Sequence, residues 1–278
     1  MYDYIFGTKK HIYKNPEEFL LFIKRLLPRH CNSIPDSLAI TIFQEVKKIK
    51  TTQIILETGC GASTLAMFLA CSLTKKKFIS YDINEKKILF IKSIINQAIC
   101  KFLQIKVSDH WQPKITNSLS KSSGIPSLKK DIIFSYIDSS HDKIHIESEI
   151  QCVKNKTNKM SYILLDDMHL TNSSKNNRLN NALKYKKSLK NFKLDIYNPK
   201  TKNNNKAYFI KYLQSNFTKI ELLETFYSKN FMKDLYYMIY GLDYFYNQAS
   251  ELLANKYLSN KQKNNLLKNR VIYIKAHN

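Results

Sequence analysis

The stretch ILETGCGAST puts a carboxylate, Glu57, just before two glycines, Gly59 and Gly61, and two hydroxyls, Ser63 and Thr64, just after them. Apolar residues flank the stretch on both sides, so it reads as strand, loop and helix. Glycine takes backbone dihedrals that other residues avoid and lets a ligand approach the main chain. Ser63 or Thr64 suits the cap of the following helix. A carboxylate at a helix N-terminus would repel a pyrophosphate, yet it can accept hydrogen bonds from a cationic amino-acid group. The spacing matches neither common nucleotide loop: Thr64 stands where GxGxxG needs its third glycine, and no Gly-Lys-Ser/Thr follows.

A second carboxylate ends the next apolar run, FISYD (78–82), 25 residues past Glu57. At a strand tip, Asp82 can take both hydroxyls of a ribose. Ribose without pyrophosphate, joined to an amino acid, describes S-adenosylmethionine. Further along, Asp138 closes YID (136–138), and Asp166 and Asp167 close YILLDD (162–167). Three carboxylates converging from neighbouring strand ends repel one another unless a cation intervenes. A Mg²⁺-like ion suits them, because hard cations prefer oxygen ligands, and it would lower the pKa of a coordinated hydroxyl. His141 and His169 are the candidate general bases. The plainer readings are that Asp167 caps a turn, that Asp138 orients its loop or meets an amine, and that both histidines lie at the surface. Lys143, His145 and Glu147 read as a solvated helix face.

The elements that must position these groups alternate. Helices are expected over about 16–28 and 36–48, with Pro16 opening the first and Pro28 stopping it. Strands follow at 53–57, 78–82, 102–107, 131–138 and 161–167, with helices at 64–73, 85–99 and 143–153 between them. That alternation means right-handed crossovers and a mainly parallel sheet. FKLDIY (192–197) and KAYFIKYL (206–213) read as two more strands, joined by NPKTKNNN as an antiparallel hairpin. Residues 215–278 read as mostly helical, with FMKDLYYMIYGLDYFY (231–246) the most aromatic part. The expected fold is α/β: a doubly wound, mainly parallel seven-stranded sheet with helical N- and C-terminal additions. Its expected divisions are 1–34, 35–213 and 214–278.

Glu57, Gly59, Gly61 and Asp82 together resemble the first two motifs of the class I methyltransferases, which have a Rossmann-like fold. YIDSSHDKIHIESEI (136–150) is similar to the pattern IDGxHxYxxxxxD, with Ser139 in place of the usual glycine and Ile144 near the usual Tyr. YILLDDMH (162–169) resembles the paired acidic end of the fifth strand. The combination is similar to the group that includes macrocin O-methyltransferase, over about residues 35–213. The resemblance implies S-adenosylmethionine held by Glu57, Gly59, Gly61, Ser63, Thr64, Asp82 and Asp138. It implies adenine contacts from Ser108 and Asp109, after a third strand. It also implies a divalent metal at Asp138, Asp166 and Asp167, with Asp138, His141 and His169 as catalytic residues.

Charge and composition bound the alternatives. The formal net charge is +23, which invites an RNA or protein methyltransferase using a basic surface. Nearly all of that charge is Lys, and Arg occurs only at positions 25, 29, 178 and 270, whereas forked contacts to phosphate and guanine favour Arg. The fifth-strand end reads LDDMH rather than an NPPY-type motif, against methylation of base or glutamine nitrogen. A small-molecule or glycan hydroxyl is the favoured acceptor; a non-catalytic member of the fold is the remaining reading. Five cysteines without CxxC spacing are expected as buried free thiols in a reducing, cytoplasmic setting. No signal peptide or membrane span is expected. A homodimer built on the Tyr-rich C-terminal region is a further expectation.

Overall fold

The computed structural model describes residues 9–28, 31–32, 34, 36–50, 52–129, 131–140, 143–165, 205–222 and 274–277. Five short apolar strands form the parallel part of the sheet: β1 (Ile54–Thr58), β2 (Phe78–Asp82), β3 (Trp111–Ile115), β4 (Ile132–Ile137) and β5 (Thr157–Leu165). Their β-branched and aromatic residues suit a sheet covered on both faces. β6 (Lys219–Leu222) and β7 (Ile274–His277) complete it, with β7 antiparallel to both β5 and β6. The order is β3-β2-β1-β4-β5-β7-β6. Strand order therefore reverses between β1 and β4, and the crevice beyond their carboxyl ends is where such sheets bind ligands.

Helices α1 (Lys9–Lys14), α2 (Pro16–Lys24), α3 (Asp36–Lys48), α4 (Ala62–Leu73) and α5 (Glu85–Ile94) share one core with the sheet, built on Phe19, Leu38, Phe43, Phe68, Ile91 and Trp111. On the other face, α6 (Lys143–Lys154) and α7 (Asn205–Asn216) supply Ile146, Ile150, Val153 and Leu213 to a second core. Four cysteines, Cys31, Cys60, Cys71 and Cys100, are buried, Cys152 is half-buried, and all five are free.

Two expected strands are helical instead. α5 continues through a π-helical turn, Ile95–Cys100, into Lys101–Leu103, so FLQIKV does not form β3. Ile91, Ile95, Ala98, Ile99 and Leu103 recur at helical spacing and are all buried, which outweighs the local β-propensity of the segment. Gln104 then takes a left-handed conformation (φ 58°) and ends the helix. The true β3 begins at Trp111, whose ring stacks on Phe78 at 6.2 Å, and its Pro113 is tolerated because β3 is an edge strand. KAYFIKYL likewise lies within α7, where Leu213 turns to the core, joined there by Phe217 just past the helix end. β6 and β7 fall in the stretch read as helical. FKLDIY and the aromatic segment 231–246 lie outside the described residues.

Candidate functional site

The crevice is framed by the ends of β1, β2 and β4. Glu57 pairs in register with Ser80 of β2 and Tyr136 of β4. It is wholly buried. Its Oε1 accepts from Ser63 Oγ at 2.6 Å, and its Oε2 from Thr64 Oγ1 at 2.9 Å and Ser80 Oγ at 2.5 Å. Ser80 is itself steadied by Trp111 Nε1, 2.9 Å away. Three hydroxyls from two elements thus close over the carboxylate, and it lies beneath the glycine loop. The side chains of Ser63, Thr64 and Ser80 are engaged by Glu57, which locks the glycine loop to β2. Desolvation drives the Glu57 pKa up to about 7, against the lowering effect of the Ser63, Ser80 and Thr64 hydrogen bonds and of Lys87.

The glycines also make room for the chain itself. Gly59 has φ +82°, and a Cβ there would stand 2.2 Å from the carbonyl oxygen of Asp138. The β4 loop crosses it that closely, tied by Asp138 N–H donating to Thr58 O at 3.0 Å. A Cβ on Gly61 would meet the Cys31 carbonyl oxygen at 3.1 Å, and that carbonyl accepts from Ala62 N–H at 2.8 Å. The segment around Cys31 therefore caps the N-terminus of α4.

Asp82 is held in place at the tip of β2. Its Oδ2 accepts from Cys60 N–H at 2.9 Å and its Oδ1 from Asn84 N–H at 2.8 Å. Lys87 Nζ lies 3.3 Å from Oδ2. Beside it, Ile83 is 75% exposed and Ile115, at the end of β3, 53% exposed. Asp138 is half-buried across the crevice, with Tyr136 OH donating to its Oδ2 at 3.3 Å. Burial raises the Cys60 thiol well above its ordinary pKa, and Glu57 and Asp82 reinforce the shift, so Cys60 is no thiolate nucleophile.

Ser108 and Asp109 are elsewhere. They sit exposed in a helical turn, Val107–His110, that precedes β3. Since Trp111 pairs with Phe78 at the start of β2, the turn lies at the amino ends of the strands, away from the crevice. There His110 Nδ1 meets Lys76 O at 2.8 Å. The residues that do follow β3 are Thr116, Asn117 and Ser118. His141, Asp166, Asp167 and His169 lie outside the described residues, and among the described residues no three His, Cys, Asp or Glu side chains cluster as a metal site.

A second carboxylate organises the same edge of the sheet. Glu149 of α6 is wholly buried and accepts from Ser139 Oγ at 2.7 Å, Thr58 Oγ1 at 3.3 Å and, through a short bond, Ser118 Oγ. His145 Nε2 stands 3.4 Å from it, so this histidine turns inward rather than joining a solvated face. Glu149 thereby ties the ends of β1, β3 and β4 together. It occupies the closing acidic position of the IDGxHxYxxxxxD pattern, the signal that could have found it. Lys87 was legible too: helical side chains lean toward the N-terminus, which aims a first-turn lysine at the strand tip.

The sheet order, the antiparallel β7 and the glycine loop facing a β2-tip carboxylate define the class: this is the fold of the class I methyltransferases. A family model described as Type III restriction enzyme, res subunit, matches residues 28–197, more than half of the chain, and by that match the chain belongs to the family so described. The loop after β1 carries no Gly-Lys-Ser/Thr phosphate-binding run. No curated protein sequence matches the chain. Among solved structures, it is similar to a methyltransferase from Podospora anserina bound to S-adenosylhomocysteine (14% identity, 74% of this chain and 80% of that one, TM-score 0.46). It is also similar to a putative O-methyltransferase from Klebsiella pneumoniae (12%, 74% and 80%, 0.47) and to the O-methyltransferase TomG from Streptomyces achromogenes (10%, 68% and 72%, 0.42). The class rests on sheet order and site geometry, not on these likenesses. Among the described residues, no helix is long and apolar enough to cross a membrane.

Proposed function

We propose that the chain is an S-adenosylmethionine-dependent methyltransferase acting on a hydroxyl of a small molecule or sugar. The observation that carries this reading is Asp82. Two backbone N–H groups hold its carboxylate at the strand tip beside the switch point, where it can accept from a ribose. The exposed Ile83 and Ile115 offer an apolar shelf for the adjoining purine. Asp138 faces the methionine end. The glycine loop, clamped from below by Glu57 and from above by Cys31, fixes the wall between them.

Methyl transfer from a sulfonium asks little covalent chemistry of the protein. Setting the acceptor oxygen in line with the methyl carbon can supply about 7–11 kcal/mol of the barrier. The acceptor proton must leave, and His141 or His169 is the proposed base. A hydroxyl acceptor is favoured by the acidic residues that close YID (136–138) and YILLDD (162–167) in the sequence. A Mg²⁺ held by Asp138, Asp166 and Asp167 is the metal-assisted form of this proposal. Of that set, Asp166 and Asp167 lie outside the described residues. Among the described residues no arginine cluster lines the crevice, and nucleic acid is not the favoured acceptor.

Calorimetric titration with S-adenosylhomocysteine tests the reading. The chain is expected to bind it, and Asp82→Ala to lose about 10- to 100-fold in affinity. Wild-type chain that binds neither S-adenosylhomocysteine nor S-adenosylmethionine sinks the proposal. Turnover unchanged by a chelator removes its metal-assisted form.

A further inference from the structure

Lys87 is the one cation fixed inside the crevice among the described residues, and the methyltransferase reading does not use it. It stands in the first turn of α5, which Asn84 caps by accepting Lys87 N–H at 3.0 Å. Its side chain is only 25% exposed, its Asp82 partner 10%. Ordering a lysine costs rotamer entropy, and an exposed ion pair seldom repays that. Here the pair is largely enclosed. Burial pulls the ammonium pKa down, but the Asp82 and Asp138 carboxylates outweigh it, so Lys87 keeps its charge where the three strand tips meet.

We propose that Lys87 contacts the ligand: with Asp82 it forms an acceptor–donor pair that reads the 2′ and 3′ hydroxyls of a ribose. A ribose hydroxyl has one proton and two lone pairs. Given to Asp82 Oδ2, the proton leaves the lone pairs beside an ammonium 3.3 Å from that same oxygen. Lysine carries three N–H donors, and the ion pair occupies one. The carboxylate thus accepts a hydrogen bond from one side of the diol while the ammonium donates one to the other. A diol satisfies both partners at once. A deoxyribose leaves one of them facing an apolar carbon, which a site built from polar groups rejects strongly.

This inference rests on the reading of the crevice as an S-adenosylmethionine site, and its test separates the two. Wild type, Lys87→Met and Lys87→Arg are titrated with S-adenosylhomocysteine and with its 2′-deoxy and 3′-deoxy analogues. Lys87→Met is expected to weaken S-adenosylhomocysteine about tenfold or more. That penalty should shrink toward unity for at least one deoxy analogue, and Lys87→Arg should recover part of the loss. Equal affinity of Lys87→Met and wild type for S-adenosylhomocysteine overturns the proposal. So does an equal penalty for all three ligands, which would mean that Lys87 only supports Asp82. If wild type binds none of the three, the methyltransferase reading fails first and takes this inference with it.

Discussion

Replacing Glu57 by Gln isolates the cost of a sealed carboxylate. Burial lifts its pKa from 4.5 to about 7 in the folded chain. At 1.36 kcal/mol for each tenfold change in proton affinity, that gap corresponds to about 3 kcal/mol. The sign follows from proton counting. Between these two pH values the folded chain keeps a proton on Glu57 that the unfolded chain has released. The native state therefore binds more protons, and stability falls as pH rises through the interval. The full contribution is present below pH 4.5 and gone above about pH 7. Glutamine stays neutral throughout and still accepts from two of the three hydroxyls, Ser63, Thr64 and Ser80. Urea unfolding of wild type and Glu57→Gln, followed by circular dichroism from pH 4.5 to 8.5, gives the difference curve in which the other titrating groups cancel. The variant should start level with wild type or slightly below it, and gain about 3 kcal/mol on it by pH 8. A flat difference, or one that favours the wild type increasingly with pH, would refute the reasoning and show the carboxylate to be better solvated than its enclosure implies.

Two further substitutions address the glycine loop and the second carboxylate. Gly59→Ala must adopt a positive φ and push its Cβ against the Asp138 carbonyl, where only 2.2 Å is available. It is expected to cost about 2–5 kcal/mol, read from urea midpoints, and near-wild-type stability would mean that the β4 loop yields freely. Glu149→Ala strands the Ser118, Ser139 and Thr58 hydroxyls. About 3 kcal/mol should be lost, together with amide-exchange protection at 116–120 and 138–140; Glu149→Gln should retain most of both, and unchanged exchange at these loops in Glu149→Ala would count against the hub.

The sequence made some parts legible and hid others for physical reasons. FISYD was read to the residue because lysines precede it and Asn84 follows, so local punctuation coincides with the strand ends. β3 was missed because FLQIKV has strand-like composition while its period continues that of α5; the deciding partner, Phe78 under Trp111, is distant in sequence. That error carried Ser108 and Asp109 to the wrong end of the sheet. The partners of Glu57 include Ser80, 23 residues away, and depend on register between strands, which no local pattern encodes. The place of Asp82 at the tip of β2 was legible because it needs only the strand to be right. β7 is short and, in sequence, remote from its partner β5, with nothing local to mark it as a member of the sheet.

The Cys31 carbonyl accepts from Ala62 N–H, and that contact bears on where the chain could be divided. Sequence patterning suggested a seam near residue 34, yet the polypeptide on the far side of that seam supplies the acceptor that finishes the first turn of α4. A shortened protein beginning after the seam would keep every strand of the crevice and lose the lintel over it, leaving water to solvate the Ala62 amide. The amino-terminal helices are in this sense masonry of the ligand crevice rather than an annexe to it.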